Sequence, residues 1–211
     1  MNNMGATTKN ICIFGDSIAY GAWDSGGGWA DRLRRSLHEK TMRSKFTEYY
    51  WVYNLGIPGN TTDDIKKRFA AERAARDPHC IIFAIGINDS ARMVGAKENR
   101  VSLSRFAANI EELFQESLKY TKDVACVGLT PVDEKLTRPF DSICDFTNEQ
   151  VMLYDKTLHE TCNRLNITFL EVWDLIDPVT DLYDGLHPND LGNKKIHTLI
   201  EKFIQENGTG K

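Results

Sequence analysis

The stretch Ile11-Cys-Ile-Phe-Gly-Asp-Ser17 decides the fold class of this chain. Four consecutive apolar residues stop at a glycine, and two polar residues follow that glycine. A short, continuously apolar run is typical of a strand that is buried on both faces of a parallel sheet. The sequence therefore predicts a buried strand, with Ser17 exposed just beyond its carboxyl end.

The same pattern recurs along the chain, with helical patterns between the apolar runs. The five predicted strands are residues 11–14, 51–55, 81–85, 124–127 and 167–172, and four of them stop at a glycine. The five predicted helices are residues 28–40, 62–74, 101–120, 148–165 and 190–206. Regular alternation of strand and helix predicts the α/β class, with a doubly wound parallel sheet between two layers of helices. Such sheets bind ligands at the carboxyl ends of their strands, so the candidate site lies there.

Length and composition are those of one globular domain, which we expect to span residues 1–211. Residues 1–9 are polar and are expected to form a disordered or loosely attached N-terminus. They lack the apolar core of a signal peptide, which favours a cytoplasmic location. The five cysteines are widely spaced and include no C-x-x-C pair, so we expect reduced, mostly buried thiols rather than disulfides or a zinc site.

Charge and hydropathy exclude several classes of partner. The net charge of −4 and the pI near 5.8 argue against nucleic-acid binding. The longest apolar run, residues 81–87, is far shorter than the roughly 20 residues of a membrane-spanning helix, so no membrane insertion is expected. The sequence leaves the oligomeric state open, and a homo-oligomer is one of the options.

Two loops contain the candidate nucleophile and its base. Ser17 follows the first strand, and Asp184-Gly-Leu-His187 follows the last. A histidine activates a serine hydroxyl when a carboxylate orients its other ring nitrogen, and one tight turn would bring Asp184 onto His187. The alternatives are that Gly-Asp-Ser is a turn in which Ser17 caps a helix, and that Asp184 belongs to an ordinary surface turn.

Two further loops contain candidate donors for a developing oxyanion. The third strand leads into Gly86-Ile-Asn88-Asp89, where the Asn88 amide can donate to the oxyanion. The second strand ends at Gly56, whose N–H could face the same oxyanion. The alternatives are an Asx-turn at Asn88 and a simple turn at Gly56. All of these residues fall at the carboxyl ends of predicted strands, and this coincidence favours an enzyme.

At these residues the sequence resembles the GDSL esterase/lipase family, also called SGNH hydrolases. Gly15-Asp-Ser-Ile18 is similar to the first family block, with isoleucine in place of leucine. Gly56 matches the second block, Gly86-Ile-Asn-Asp89 the third, and Asp184-Gly-Leu-His187 the last. The blocks span nearly the whole chain.

The resemblance implies a three-layer, flavodoxin-like α/β/α fold with a five-stranded parallel sheet in the order 2-1-3-4-5. It implies hydrolysis of small-molecule esters without a metal or an organic cofactor. Ser17 would be the nucleophile, His187 the general base, and Asp184 the residue that orients it. The Ser17 and Gly56 N–H groups and the Asn88 side chain would form the oxyanion hole, with Asp16 and Asp89 in supporting positions.

The substrate stays open at this point. A simple carboxylic ester is favoured, and a carbohydrate O-acetyl group, a thioester or a lysophospholipid is the alternative within the family. A noncatalytic ligand-binding module on the same fold is the alternative from a different class. Three loops are candidates for specificity: residues 19–28, 90–100 and 130–148. Trp23 is a candidate for the pocket, whereas Trp29 fits a helix facing the core.

Overall fold

The computed structural model describes residues 6–207, which form alternating strands and helices. In chain order they are β1 (Thr7–Gly15), α1 (Ser17–Tyr20), α2 (Gly28–Arg43), β2 (Glu48–Gly56), α3 (Thr62–Ala74), β3 (Cys80–Ala84), α4 (Ile87–Ser90), β4 (Arg92–Met93), α5 (Leu103–Leu118), β5 (Asp123–Val127), α6 (Glu134–Thr137), β6 (Cys144–Asp145), α7 (Asn148–Leu165), β7 (Thr168–Leu170), a 3-10 turn (Trp173–Leu175) and α8 (Asp190–Asn207).

Five of the strands form one parallel sheet in the order β2-β1-β3-β5-β7. Counting only the strands of this sheet, the order is 2-1-3-4-5, as the family resemblance implies. The sequence did not predict β4 and β6, which form a separate antiparallel pair of two-residue strands. The predicted α/β class with a central parallel sheet is confirmed.

The sheet has a hydrophobic core on each face, which explains why its strands are continuously apolar. Alternate residues of β1 point to opposite faces: Phe14 joins the core beneath α3, α5 and α7, and Ile13 joins the core beneath α2 and α8. Trp29 is fully buried in the second core, as its position in the α2 pattern predicts. All five cysteines are free and buried, in agreement with the expected burial.

The expectation for the N-terminus is wrong for residues 7–9. These residues belong to β1 and pair with the first residues of β2, Glu48 to Tyr50, so backbone pairing holds them in the sheet. Residues 1–5 lie outside the described residues. Across residues 6–207, no helix combines the length and the apolarity that crossing a membrane requires.

The register of the sheet brings three strand ends to one level. Gly15 at the end of β1 lies opposite Gly56 of β2 on one side and Ala84 of β3 on the other. The turns that leave these three strands therefore begin side by side at the carboxyl edge of the sheet. Ser17, Asn88 and the turn after Gly56 all follow directly from these strand ends.

Phe83 offers a test of the core beneath α3, α5 and α7. Its side chain is fully buried in β3, and its ring lies 5.8 Å from that of Phe14 and 5.3 Å from that of Phe114. Phe83→Ala leaves a cavity in the core on this face of the sheet, so we expect the free energy of unfolding to fall by about 3–5 kcal/mol. Urea unfolding followed by circular dichroism measures this loss.

The control is Val179→Ala, because Val179 is 72% exposed. We expect that change to stay within about 0.5 kcal/mol of wild type. Equal effects of the two substitutions would contradict the assignment of Phe83 to a closely packed core.

Candidate active site

Ser17 lies in the first turn of α1, directly after β1. Asp16 precedes it as the N-cap residue, and the Asp16 Oδ1 accepts a hydrogen bond from the Ile18 N–H at 2.9 Å. The alternative in which Ser17 caps this helix is therefore wrong, since Asp16 takes that role. The Ser17 hydroxyl is left free to contact another element.

That element is the loop before α8, which contains His187. The Ser17 Oγ lies 2.9 Å from the His187 Nε2, and the His187 Nδ1 lies 2.7 Å from the Asp184 Oδ2. An ionised carboxylate only accepts hydrogen bonds, so the Nδ1–H donates to Asp184 and the Nε2 accepts from the serine hydroxyl. Ser17 and His187 are both buried. The three side chains form one hydrogen-bonded chain from carboxylate to hydroxyl.

Asp184 is held by its own turn. Its Oδ1 accepts from the backbone N–H groups of Leu186 at 3.0 Å and His187 at 2.8 Å. Burial acts to raise the pKa of Asp184, but the hydrogen bonds from the His187 side chain and backbone outweigh it and hold the pKa below its usual value. Asp184 and Gly185 thus form the turn that the sequence suggested, and this turn holds the ionised Asp184 carboxylate against the imidazole.

Asn88 lies on α4, just beyond the end of β3, with its side chain buried. Its Nδ2 donates to the Asn60 carbonyl oxygen at 3.1 Å, and its Oδ1 accepts from the Arg100 Nη1 at 3.2 Å. An amide nitrogen has two hydrogens, so one remains available for a ligand. Asn88 and Ser17 line the same cavity.

Gly56 does not reach this site as an N–H donor, which corrects the sequence-based expectation. Its N–H donates to the Asn54 Oδ1 at 3.0 Å. A Cβ at Gly56 would lie 2.4 Å from the Tyr20 backbone nitrogen and 2.8 Å from the Asp16 carbonyl oxygen. The glycine at this position therefore allows β2 to approach α1 closely, and it plays a packing role.

Gly59, three residues further along, faces the cavity where Gly56 was expected. It lines the cavity together with Ser17 and Asn88. Its φ of +78° is in the left-handed region that favours glycine. Among residues 6–207, no protein acceptor takes the Gly59 N–H. The Ser17 N–H likewise has no acceptor within α1, because the first N–H groups of a helix lack an intrahelical partner.

Asp16 and Asp89 are buried carboxyl groups that hold the backbone around the site. Asp89 accepts hydrogen bonds from the Thr62 N–H at 3.0 and 3.1 Å, which ties the segment after β3 to the start of α3. Burial raises the pKa of Asp89 to about 6 and that of Asp16 to about 7. No group of three or more His, Cys, Asp or Glu side chains in the described part of the chain is arranged to hold a metal ion.

Two cavities open on either side of His187. The first, of about 390 Å³, contains Ser17 and Asn88 and has apolar walls that include Tyr20, Ile143 and Phe146. The second, of about 600 Å³, contains Asp184 and is walled by Leu136, Asp141 and Tyr183. Both share Trp23, Phe140 and His187. The Trp23 and Phe140 rings lie 6.1 and 6.0 Å from the imidazole, so they flank the histidine at the boundary.

The three predicted specificity loops all contribute to the first cavity. Residues 19–28 supply Trp23, which is 71% exposed, residues 90–100 supply Arg100, and residues 130–148 supply Phe140. The β4–β6 pairing joins the second of these loops to the third. Sequence reasoning missed Gly59 and Arg100. The Ile-Pro-Gly turn was a signal for Gly59, but no motif pointed to Arg100.

Comparison with known proteins defines the class as a hydrolase of ester bonds. The sequence matches the GDSL-like lipase/acylhydrolase family over residues 13–195, and the chain belongs to this family. A GDSL esterase/lipase of Arabidopsis thaliana is 25% identical over 224 residues, which cover 96% of this chain and 88% of the relative. An acetylxylan esterase of Geobacillus stearothermophilus is 27% identical over 164 residues, which cover 74% of this chain and 72% of the relative.

A solved structure shows the same fold. The lipase/acylhydrolase from Enterococcus faecalis is similar, with a TM-score of 0.77 and 23% sequence identity. The alignment covers 94% of this chain and 96% of that chain. The two proteins therefore share the same three-layer fold.

The raised pKa of Asp16 predicts a pH-dependent cost to stability. The pKa of Asp16 is about 7 in the folded chain, against a usual value of 3.8. Between pH 3.8 and 7 the Asp16 carboxyl is therefore protonated in the folded chain and ionised in the unfolded chain. The contribution of protonated Asp16 to the free energy of unfolding is complete below about pH 4 and is lost as the pH rises through 7. Asp16→Asn keeps a capping oxygen and cannot ionise.

We therefore expect the free energy of unfolding of Asp16→Asn, relative to wild type, to increase by a few kcal/mol between pH 4 and 7. Urea unfolding at several pH values measures the difference. The control is the same series on Asp31→Asn, because Asp31 is a partly exposed carboxylate in the first turn of α2. A difference between Asp16→Asn and wild type that does not change with pH would show that Asp16 is already ionised in the folded chain.

Proposed function

We propose that this chain hydrolyses carboxylic esters of small molecules through an acyl-enzyme intermediate on Ser17. The observation that carries the proposal is the continuous hydrogen-bonded chain from the Asp184 carboxylate through His187 to the Ser17 hydroxyl. A noncatalytic binding module does not require a serine hydroxyl aligned on a buried imidazole that is itself oriented by a carboxylate. The cavity beside Ser17 gives an ester access to this chain of groups.

Acylation begins with attack of the Ser17 Oγ on the ester carbonyl carbon. The His187 Nε2 takes the hydroxyl proton, and the carbonyl electron pair moves onto oxygen to give a tetrahedral oxyanion. The imidazolium then returns its proton to the alcohol oxygen as the ester bond breaks. Asp184 stabilises the imidazolium and keeps the Nε2 directed at the reacting atoms.

Deacylation uses the same groups with water in place of serine. The Nε2 of His187 takes a proton from water as its oxygen attacks the acyl carbon. Collapse of the second tetrahedral species releases the carboxylic acid, and the proton on His187 returns to the Ser17 oxygen. The net reaction consumes one ester and one water and yields one acid and one alcohol.

The oxyanion would accept hydrogen bonds from the Ser17 N–H, the Gly59 N–H and the Asn88 Nδ2–H. The three groups come from the ends of β1, β2 and β3, which the register of the sheet holds side by side. Donors that are already fixed stabilise developing charge without having to reorganise during the reaction. Gly59 replaces Gly56 in this assignment because the Gly56 N–H is bonded to Asn54.

Removal of an acetyl group from a carbohydrate is a second candidate. The relative from Geobacillus stearothermophilus is an acetylxylan esterase. In this chain, the cavity on the Asp184 side combines the aromatic rings of Trp23 and Tyr183 with the Asp141 carboxylate, a combination that suits an alcohol with several hydroxyl groups. The apolar cavity at Ser17, at about 390 Å³, has room for an acyl group larger than acetyl, which favours the simple ester.

Ser17→Ala tests the proposed nucleophile. We expect p-nitrophenyl ester hydrolysis to fall to about the level left by binding and oxyanion stabilisation alone, a loss of roughly 10⁴-fold or more in kcat. Steady-state assays from acetate to longer acyl chains measure the loss and the chain-length optimum. Ser104→Ala, at an exposed serine of α5, is the control and should retain full activity.

Acetylated xylo-oligosaccharides, assayed by acetate release, separate the two candidates. A higher kcat/KM on the sugar acetate than on any p-nitrophenyl ester would replace the simple ester with the carbohydrate substrate. Full activity of Ser17→Ala on every substrate would contradict the proposed nucleophile.

Asn88→Ala tests the proposed oxyanion donor. Loss of one oxyanion donor typically lowers kcat by about 10²–10³-fold, and we expect a loss of that order. KM should change little, because the missing hydrogen bond forms mainly in the transition state. Asn163→Ala, at an exposed position of α7, is the matched control. Unchanged kcat in Asn88→Ala would rule out the assigned role of this amide.

A further inference from the structure

Arg100 lies at the base of a closed loop beside the proposed oxyanion hole. Its backbone N–H donates to the Ala91 carbonyl at 2.7 Å, and the next N–H, of Val101, donates to the Asp89 carbonyl at 3.3 Å. These two bonds close residues 91–100 into a loop whose ends meet next to α4. Arg100 therefore returns to Asn88 although twelve positions separate them in the sequence.

The Arg100 guanidinium bonds to two segments that contain oxyanion donors. Its Nη1 donates to the Asn88 Oδ1 at 3.2 Å, and its Nη2 donates to the Gly59 carbonyl oxygen at 2.9 Å. Asn88 follows β3, whereas Gly59 follows β2. One planar side chain thus bridges the turns that leave β2 and β3, the two strands on either side of β1.

The contact with Asn88 determines which way its amide points. A guanidinium has donors and no acceptor, so it accommodates the amide oxygen and rejects the amide nitrogen. The Oδ1 is therefore held toward Arg100, and the Nδ2 is directed to the Asn60 carbonyl and the cavity. A hydrogen bond from a charged donor also polarises the amide, which strengthens the Nδ2–H as a donor.

The contact with Gly59 adds a restraint to a turn that the Asn60 N–H closes by donating to the Ile57 carbonyl at 3.1 Å. No atom lies within 4 Å of the position that a Cβ would take on Gly59, and glycine has more backbone freedom than any other residue. A hydrogen bond to the Gly59 carbonyl limits the rotation of this turn. Gly59 lines the cavity that contains Ser17, and its N–H has no acceptor among residues 6–207, so a restraint on this turn is a restraint on a candidate oxyanion donor.

We propose that Arg100 is a positioning residue that holds Asn88 and Gly59 as a pair of oxyanion donors. This inference rests on the proposed function, in which both residues stabilise the tetrahedral intermediate. Arg100 acts through them and need not touch the substrate. The competing role is direct binding of a negatively charged substrate group, because the guanidinium also lines the cavity of about 390 Å³.

The test is a double-mutant cycle between Arg100→Ala and Asn88→Ala, with kcat and KM measured on an uncharged p-nitrophenyl ester. Loss of a whole donor costs about 10²–10³-fold, so misdirecting two donors is expected to lower kcat by about 10–100-fold with little change in KM. In the Asn88→Ala background the fold-loss from Arg100→Ala should be clearly smaller, because the amide it orients is gone.

Two further variants sharpen the test. Arg100→Lys keeps the charge but has a single nitrogen, so it should recover only part of the lost kcat. Arg92→Ala is the matched control: Arg92 lies in the same loop, and its nearest carboxylate, on Asp145, is 3.9 Å away. It should leave kcat unchanged.

A trifluoromethyl ketone inhibitor, which mimics the tetrahedral intermediate, should bind less tightly to Arg100→Ala by about the same factor as the loss in kcat.

Several outcomes would overturn the inference. If Asn88→Ala lowers kcat and Arg100→Ala does not, Arg100 is not a positioning residue and the proposed function stands. Equal fold-losses in both backgrounds would show that Arg100 acts independently of Asn88 and would overturn the inference. A loss confined to KM, found with esters that carry a carboxylate in the acyl group and absent with the uncharged ester, would assign Arg100 to substrate charge. If Asn88→Ala is fully active, the oxyanion assignment itself fails, and the inference with it.

Discussion

Parallel pairing of β1 with β2 on one side and β3 on the other is the constraint on which the site depends. Gly15 lies opposite Gly56 and Ala84, so three chain segments leave the sheet at one level. Ser17, the proposed nucleophile, follows the first segment, and the two other proposed oxyanion donors follow the second and third. A shift of one residue in either pairing would turn every side chain of that strand to the other face and separate these groups.

Much of this arrangement could be predicted from the sequence. Apolar runs that stop at a glycine are local signals, and so are the Ser17 and Asp184-Gly-Leu-His187 motifs, because each combines residue type with a strand end. The Gly56 assignment was wrong because the competing acceptor, the Asn54 Oδ1, is a side chain whose direction no spacing rule gives. Arg100 was missed because loop closure, rather than any motif, returns it to Asn88.

The carboxylates around the site divide into two kinds according to their surroundings. Asp184 receives hydrogen bonds from His187 and keeps a lowered pKa, as its proposed role requires. Asp16 and Asp89 are buried among backbone donors, and desolvation raises their pKa. In the proposed mechanism, Asp184 stabilises charge that develops during the reaction, whereas Asp16 and Asp89 fix the backbone from which the reacting groups project. Adjacent acidic residues in one site thus differ in function because burial and hydrogen bonding differ.

The central claim is that His187, oriented by Asp184, makes Ser17 a nucleophile. A fluorophosphonate probe tests it most directly, because it phosphonylates only an activated serine and leaves a stable mass increment that peptide mass spectrometry can locate. We predict stoichiometric labelling of wild type at Ser17, with labelling lost in Ser17→Ala and strongly slowed in His187→Ala at neutral pH. Labelling at another residue, or at the same rate without His187, would contradict this account of the site.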